Sequence, residues 1–355
     1  MKHHSVFQTI YYTCIGFLFF SFFSGCQQQD ASYQRQLYVF GTFVEMTFWD
    51  VPESLAQKSA NLIASDLQKM HRDWHAWQPS SLTALNHAIA VGQPYLIEDD
   101  ELLFMLKQAK QWSQQSEGLF NPAIGQLINL WGFQRDDLTI SHPPPSAQAI
   151  AERLALNPTM ADLSIEGQKV SSRNRAVQLD LGAIAKGYAL DLVIKRLQTL
   201  NIQNAIVNAG GNLKAIGSKG NKPWTIGIRH PSGQGILAIL KAHGEESVVT
   251  SGDYERFYEY QGIRYAHIID PRTGKPAQGL TSVTVIHASG AFADATATAL
   301  IVAGIEKWSQ IAQQMGLNYV MVIDKMGTVY LTPAMAERVQ FVTDEQFKQV
   351  VVDWH

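Results

Sequence analysis

In residues 291–304, AFADATATALIVAG, one carboxylate, Asp294, and two hydroxyls, Thr296 and Thr298, stand among small apolar residues. On a helix, positions i and i+4 share a face, so Asp294 and Thr298 point the same way. They offer two hard oxygens one turn apart, which suits Mg²⁺ or Ca²⁺, while the surrounding alanines allow close approach. The same pattern also reads as an acid favoured by a helix N-terminus. A second stretch, LDLGAIAKGYALD (179–191), places Asp180 and Gly182 at a turn into a helix, with Lys186 and Gly187 in its first turns. A helix N-terminus with a nearby lysine suits a phosphate. The glycine spacing of a Walker loop is missing, and a tight turn beside a solvated lysine is the other reading.

The third stretch is YAHIIDPRTGKPAQG (265–279). His267 is the one titratable side chain midway along its strand. It could donate to a phosphate oxygen, move a proton or be structural. Asp270-Pro271-Arg272-Thr273-Gly274 is a turn written in its residues. GLFNPAIGQLINLWGF (118–133) and WHAWQPSSLTALN (74–86) mix aromatics and small residues without clean periodicity. Trp77 could stack on a flat ring or sit in a core. VNAGGN (207–212) brings a glycine pair after a strand, suited to close backbone approach, and SVVTSGDYERFY (247–258) adds hydroxyls after an apolar strand.

These residues need elements to hold them. Residues 37–49 predict a strand pair or one long bent strand. Helical spacing covers 53–70 and 99–115, and a short helix follows the rigid SHPPPS loop at 146–155. A strand at 176–181 should feed the helix that carries Leu190, Val193, Ile194 and Leu197. Strands are expected near 204–208, 224–229, 236–241, 246–250, 256–260, 264–269 and 281–287. A helix from about 291, a second near 305–315, and strands at 318–323 and 328–332 complete the series. Helices interleaved with clustered antiparallel strands give an α+β class.

The chain has 355 residues, 46% hydrophobic and 17% charged, which suits one large domain or two tightly joined halves. A net charge of −3 offers no basic footprint for nucleic acid. CIGFLFFSFF (14–23) is apolar but short for a bilayer span, and it ends in FSGC (23–26). This resembles a bacterial lipoprotein signal that would lipidate Cys26; a plain signal peptide or an anchor helix are the alternatives. The expected division is a signal at 1–25, a polar tether at 26–36 and one catalytic unit at 37–355. Both cysteines, Cys14 and Cys26, fall in the leader, so the remainder has no thiol for a disulfide, metal or nucleophile.

Five segments, NPAIGQLINLWGF, LDLGAIAKGYALD, TSGDYE, HIIDPRTGKP and ADATATAL, stand in the order found in the ApbE-type family, the FAD:protein FMN transferases, which the chain resembles over nearly its whole mature length. The resemblance implies an ApbE-like α+β unit with mixed and antiparallel sheets packed on helices. It implies a Mg²⁺-dependent reaction that cleaves FAD, a substrate here, and attaches FMN to a threonine of a partner protein, releasing AMP. By motif position, Asp294, Thr298, the Ala183 carbonyl and Ala297 are the expected metal shell, and His267 and Asp294 the catalytic pair. Met46, Trp77, Leu119, Phe120, Asn121, Asp180, Lys186 and Ile269 are expected FAD contacts. Asn121 and Asn212 stand where aspartate is frequent. The acceptor is expected to be a subunit of a membrane redox complex, and the domain to be exported, lipid-anchored and periplasm-facing. FAD hydrolysis to FMN and AMP, or flavin binding without catalysis, are the competing readings.

Overall fold

Alternating apolar residues build the central layer. In the computed structural model, residues 32–135, 141–233, 235–342 and 347–354 are described. The leader, including Cys26, lies outside them. Nine strands form one sheet: β1 (Ser32–Val39), β2 (Thr42–Trp49), β3 (Ala205–Ala209), β4 (Asn212–Ile216), β5 (Glu246–Gly252), β6 (Leu280–His287), β7 (Tyr319–Asp324), β8 (Val329–Leu331) and β9 (Gln349–Val351). Their spatial order is their chain order. Every neighbouring pair is antiparallel except β8 and β9, which are parallel.

The period-2 pattern places successive side chains on opposite faces. Val249, Val283, Val285, Val320 and Val322 enter the larger core, which the helices cover. Val248, Ile286, Met321 and Ile323 point to the other face. There a three-stranded sheet of Thr225–Arg229, Ile236–Lys241 and Gln340–Phe341 closes over them with Ile226, Ile228, Leu237 and Leu240. The fold is α+β, as expected.

The helices are α1 (Glu53–Asp73), α2 (Ser81–Val91), α3 (Asp100–Gln115), α4 (Gly125–Leu130), α5 (Ala147–Ala155), α6 (Gly182–Thr199), α7 (Gly290–Gln314) and α8 (Pro333–Ala336). In α1 the buried residues Ala56, Ser59, Ala60, Ile63 and Leu67 recur at three- and four-residue steps, the stripe of a helix lying on a core. The two helices expected from about 291 and 305 are α7 interrupted at Gly304, whose φ of 72° and ψ of 179° break the helical run. Glycine reaches that φ without steric cost.

Two expectations are corrected. Residues 176–181 are not a strand. They make a single parallel bridge, Ile124 to Gln178, with the Gln178 and Asp180 N–H groups reaching the carbonyls of Ala123 and Pro122, while the Asn86 side chain takes both backbone groups of Leu179 and no ladder extends further. The first strand begins at Ser32, inside the expected 26–36 tether, because Ser32 pairs with Trp49 at the open end of the β1–β2 hairpin.

Two glycines set the distance between α6 and α7. A Cβ at Gly187 would collide with the carbonyl oxygen of Gly290, and one at Gly290 would come within 2.6 Å of the Gly187 carbonyl oxygen. Both blockers are backbone and cannot rotate away. Gly290→Ala is therefore expected to cost about 1–3 kcal/mol of stability. A denaturant midpoint equal to wild type would show that the helices can part freely.

Candidate functional site

The site forms where α6 and α7 begin. Asp294 is 2% exposed, and its Oδ2 accepts the Gly187 N–H at 3.0 Å. That N–H is the one that would close a helical bond to the Ala183 carbonyl, four residues back. Asp294 competes for it, which favours leaving the Ala183 oxygen available for another partner. One turn on, the partly exposed Thr298 makes no side-chain hydrogen bond among the described residues, whereas Thr296 turns inward to the carbonyls of Phe292 (2.8 Å) and Ala293 (3.1 Å). The two hydroxyls of ADATATAL are thus separated by structure: Thr296 is internal and Thr298 is open. Ala297 is fully buried behind them.

Among the described residues no three His, Cys, Asp or Glu side chains converge on a cation site. The donors at hand are one carboxylate, one hydroxyl and one carbonyl, all hard oxygens. That set fits Mg²⁺, which takes few protein ligands and completes its shell with water and phosphate.

Both ends of the first half of α7 are held from outside the helix. At its N-terminus, Asp191 of α6 accepts the N–H groups of Gly290 (2.8 Å) and Ala291 (3.0 Å). Lys214, whose side chain is 4% exposed, pairs with Asp191 at 2.6 Å and balances its charge. Near Gly304, Arg272 donates to the Val302 carbonyl at 2.6 Å while forking onto Asp270 at 2.8 and 2.9 Å. The Asp270–Gly274 turn therefore caps the helix that carries Asp294.

His267 lies in the extended chain just after the Ile263–Ala266 strand, opposite Arg256. Its Nδ1 is 2.9 Å from the Arg256 carbonyl oxygen. A carbonyl only accepts, so Nδ1 carries the proton and Nε2 holds a lone pair. Burial, with the positive charges of Lys186 and Arg256 adding to it, pushes the imidazole down to about 3. Donation from Nε2 to a phosphate is thereby excluded for the neutral ring, and acceptance of a proton remains.

Lys186 has no hydrogen-bonded partner among the described residues. Its charge acts on Glu255 as well as on His267. Glu255 is exposed in surface area, yet protein packed around its carboxyl strips away part of its hydration. That crowding, reinforced by the like charge of Asp294, pushes it up to about 8 against the opposing pull of Lys186 and Arg229.

The other expected contacts divide by exposure. Trp77 is partly exposed, with the Arg256 guanidinium 5.7 Å from its ring centroid. Asp180 is engaged in the turn, accepting Gly182 N–H at 3.0 Å and Gln134 Nε2 at 3.1 Å. Asn121 is engaged with Pro158 O at 3.0 Å and the Ala123 N–H at 3.1 Å. Met46, Leu119, Phe120 and Ile269 are core side chains, at 0%, 4%, 1% and 5% exposure, so their side chains support the site from behind. Asn212 is buried at 1% with its Nδ2 unpartnered.

Sequence reading missed His75, Glu255, Arg256 and Asp191. His75 Nδ1 accepts the N–H groups of Trp77 (3.3 Å) and Gln78 (3.0 Å), which folds the loop that presents Trp77. The local signal was there in WHAWQPSS, where a ring acceptor precedes a turn; the other three act on partners far away in sequence.

An α+β fold that brings together a hard-oxygen pair, a lysine without a hydrogen-bonded partner among the described residues and a neutral histidine has the donor set that suits a phosphate-bearing ligand. The model of the ApbE family matches residues 40–321, and the chain belongs to that family. It is similar to the FAD:protein FMN transferase of Rhodobacter capsulatus, 44% identical over 308 residues, covering 86% of this chain and 58% of that protein. The enzyme of that name from Treponema pallidum is 36% identical over 244 residues, and this chain spans 66% of its length. One from Klebsiella pneumoniae is 32% identical over 329 residues, covering 90% of this chain and 97% of that protein. Among solved structures, the ApbE protein of Thermotoga maritima superposes with a TM-score of 0.78 at 27% identity, covering 86% of this chain and 99% of that one. The flavin transferase ApbE from Vibrio cholerae gives 0.76 at 27% identity over the same shares.

Removing the Lys186 charge takes away a positive neighbour that holds both groups down. Lys186→Met is expected to raise the titration of Glu255 and of His267 together, followed by carboxyl and imidazole NMR signals. Unmoved midpoints would place Lys186 outside their reach.

Proposed function

We propose that the chain is a Mg²⁺-dependent FAD:protein FMN transferase, which cleaves the pyrophosphate of FAD and joins FMN to a threonine hydroxyl of a partner protein. The observation that carries this reading is the join of α6 and α7. There Asp294, which shares a helix face with Thr298, holds the Gly187 N–H that would otherwise close on the Ala183 carbonyl, and the charge of the adjacent Lys186 acts on the Nδ1-protonated His267. The names of the relatives support the same reading.

In the proposed reaction the acceptor threonine Oγ attacks the phosphorus on the FMN side. The new O–P bond forms as the bond to the AMP oxygen breaks, and AMP leaves with the electron pair. His267 Nε2 takes the threonine proton. Lys186 sits where it can balance phosphate charge, and Trp77 can bear a ring of the dinucleotide. Asp294, Thr298 and the Ala183 carbonyl would hold Mg²⁺, which supplies charge neutralisation at the pyrophosphate when bound. No covalent protein nucleophile is needed, in keeping with a chain whose cysteines lie only in the leader.

The leader motif supports lipidation at Cys26 and a place on the periplasmic side of a bacterial membrane. Among the described residues no helix is long and apolar enough to cross one. A membrane redox-complex subunit with an accessible threonine is the proposed acceptor.

The test incubates the protein with FAD and Mg²⁺, with and without a candidate acceptor, following AMP release and the acceptor's intact mass. AMP together with an FMN-sized mass gain on threonine supports the proposal. AMP without acceptor and without mass gain assigns an FAD hydrolase, and bound FAD with no AMP assigns a flavin-binding protein. His267→Asn is expected to slow transfer by about 10²–10⁴-fold. Thr298→Val is expected to weaken the Mg²⁺ dependence while leaving the melting temperature unchanged, since that hydroxyl holds nothing inside the protein. Transfer at wild-type Mg²⁺ concentrations by Thr298→Val would remove the hydroxyl from the metal shell.

A further inference from the structure

Arg256 touches two of the groups that the transfer reading uses, His267 and Trp77. Its main-chain carbonyl accepts both the His267 N–H, at 3.1 Å, and His267 Nδ1, at 2.9 Å. Its guanidinium donates to the carbonyls of Phe133 and Arg135, each at 2.8 Å, and lies over the Trp77 ring. Phe133 in turn sets its ring edge toward His267, with centroids 6.4 Å apart. Arg256 thus joins three stretches that are remote in sequence: the loop presenting Trp77, the loop after α4, and the strand leading into His267. One terminal nitrogen of the guanidinium serves both carbonyls while the flat head lies over the Trp77 ring; a lysine could bring the charge but not that flat face.

We propose that Arg256 is a positioning residue that couples the seat of the FAD ring at Trp77 to the orientation and proton-free Nε2 of His267. This rests on the transferase reading for its consequence in catalysis, but the arrangement itself can be tested without turnover. Burial lowers the His267 imidazole most, followed by the charges of Lys186 from α6 and of Arg256 just before the facing strand, while the hydrogen bond to the Arg256 carbonyl raises it. That carbonyl is main chain and survives substitution, so losing the Arg256 charge raises the imidazole midpoint, and losing only the flat head does not.

The experiment uses the full chain with ¹⁵N-labelled histidine, the His267 signal being assigned with His267→Asn. In wild type the ring nitrogens should report the Nδ1-protonated neutral form, without titration between about pH 5 and 8. Arg256→Met should raise the midpoint above that of wild type, move the acid limb of the transfer profile with it and lower kcat on the order of 10²-fold. Arg256→Lys should keep the midpoint low and much of kcat, while the KM for FAD rises about tenfold because the Trp77 ring has lost the flat head that lies over it. Arg256→Met with wild-type titration and rates, changed only in melting temperature, would overturn the proposal and leave an architectural arginine. If that variant does not fold, Arg256→Lys decides: a raised FAD KM with an unmoved His267 supports the coupling, and a wild-type KM overturns it. Absence of FMN transfer by the wild-type protein would sink the functional reading, while the histidine titration would still decide the role of Arg256.

Discussion

The site depends on how closely α6 and α7 approach. With glycine at 187 and at 290, backbone meets backbone, and the Asp294 carboxylate can reach a main-chain N–H of the neighbouring helix. A side chain at either position would separate the helices and strand a buried acid without its donor. Unpaired carboxylates in apolar surroundings are costly, so the close crossing and the acid belong together. The same contact engages the donor that the first turn of α6 would otherwise give to Ala183. One crossing thereby gathers the hard-oxygen donors.

Rigidity around that crossing comes from groups far from the chemistry. The Asp191–Lys214 pair holds the first N–H groups of α7, and Arg272 holds a carbonyl near its break at Gly304. The short α-helical segment between them is fixed at both ends. Asp270 and Arg272 come from the turn just after His267, so the histidine and the helix bearing Asp294 share a support. Charged groups serve here as ties between elements: Asp191 accepts two N–H groups at the start of α7, and Arg272 donates to a carbonyl near its break, satisfying helix-end groups that would otherwise lack a partner.

Much of this was legible in the residues. The helical stripe of α1 and the interruption of α7 follow from apolar spacing and from a glycine inside a helical run. The pairing of Asp294 with Thr298 follows from the i, i+4 rule. Elsewhere local pattern misled. Residues 176–181 alternate like a strand, yet their backbone groups go to residues 122–125 and to the Asn86 side chain and build no ladder beyond one bridge. The helix α2 went unread because its polar residues obscure the buried Leu82, Leu85 and Ile89, while its capping box at Ser80 and Thr83 was the available signal. Met46 and Phe120 carry motif positions but face the core, since a motif records that a position is constrained and not which side of the backbone meets the ligand. Arg256 was invisible for the opposite reason: its partners are carbonyls more than a hundred residues away, and no spacing rule reaches them.

The tie between His267 Nδ1 and a carbonyl oxygen has one more consequence. A carbonyl cannot take a proton onward, so this imidazole has a single port. Any proton that enters at Nε2 leaves by Nε2, through the same mouth of the cleft that admits the reactants. Unlike a carboxylate, the carbonyl behind the ring gives its charged form only a modest support, which burial and the two nearby cations outweigh, so the proton is pressed out again. Water or the departing product must therefore reach Nε2 before the ring is ready for another cycle, and the resetting of one small group is bound to the clearing of the whole site.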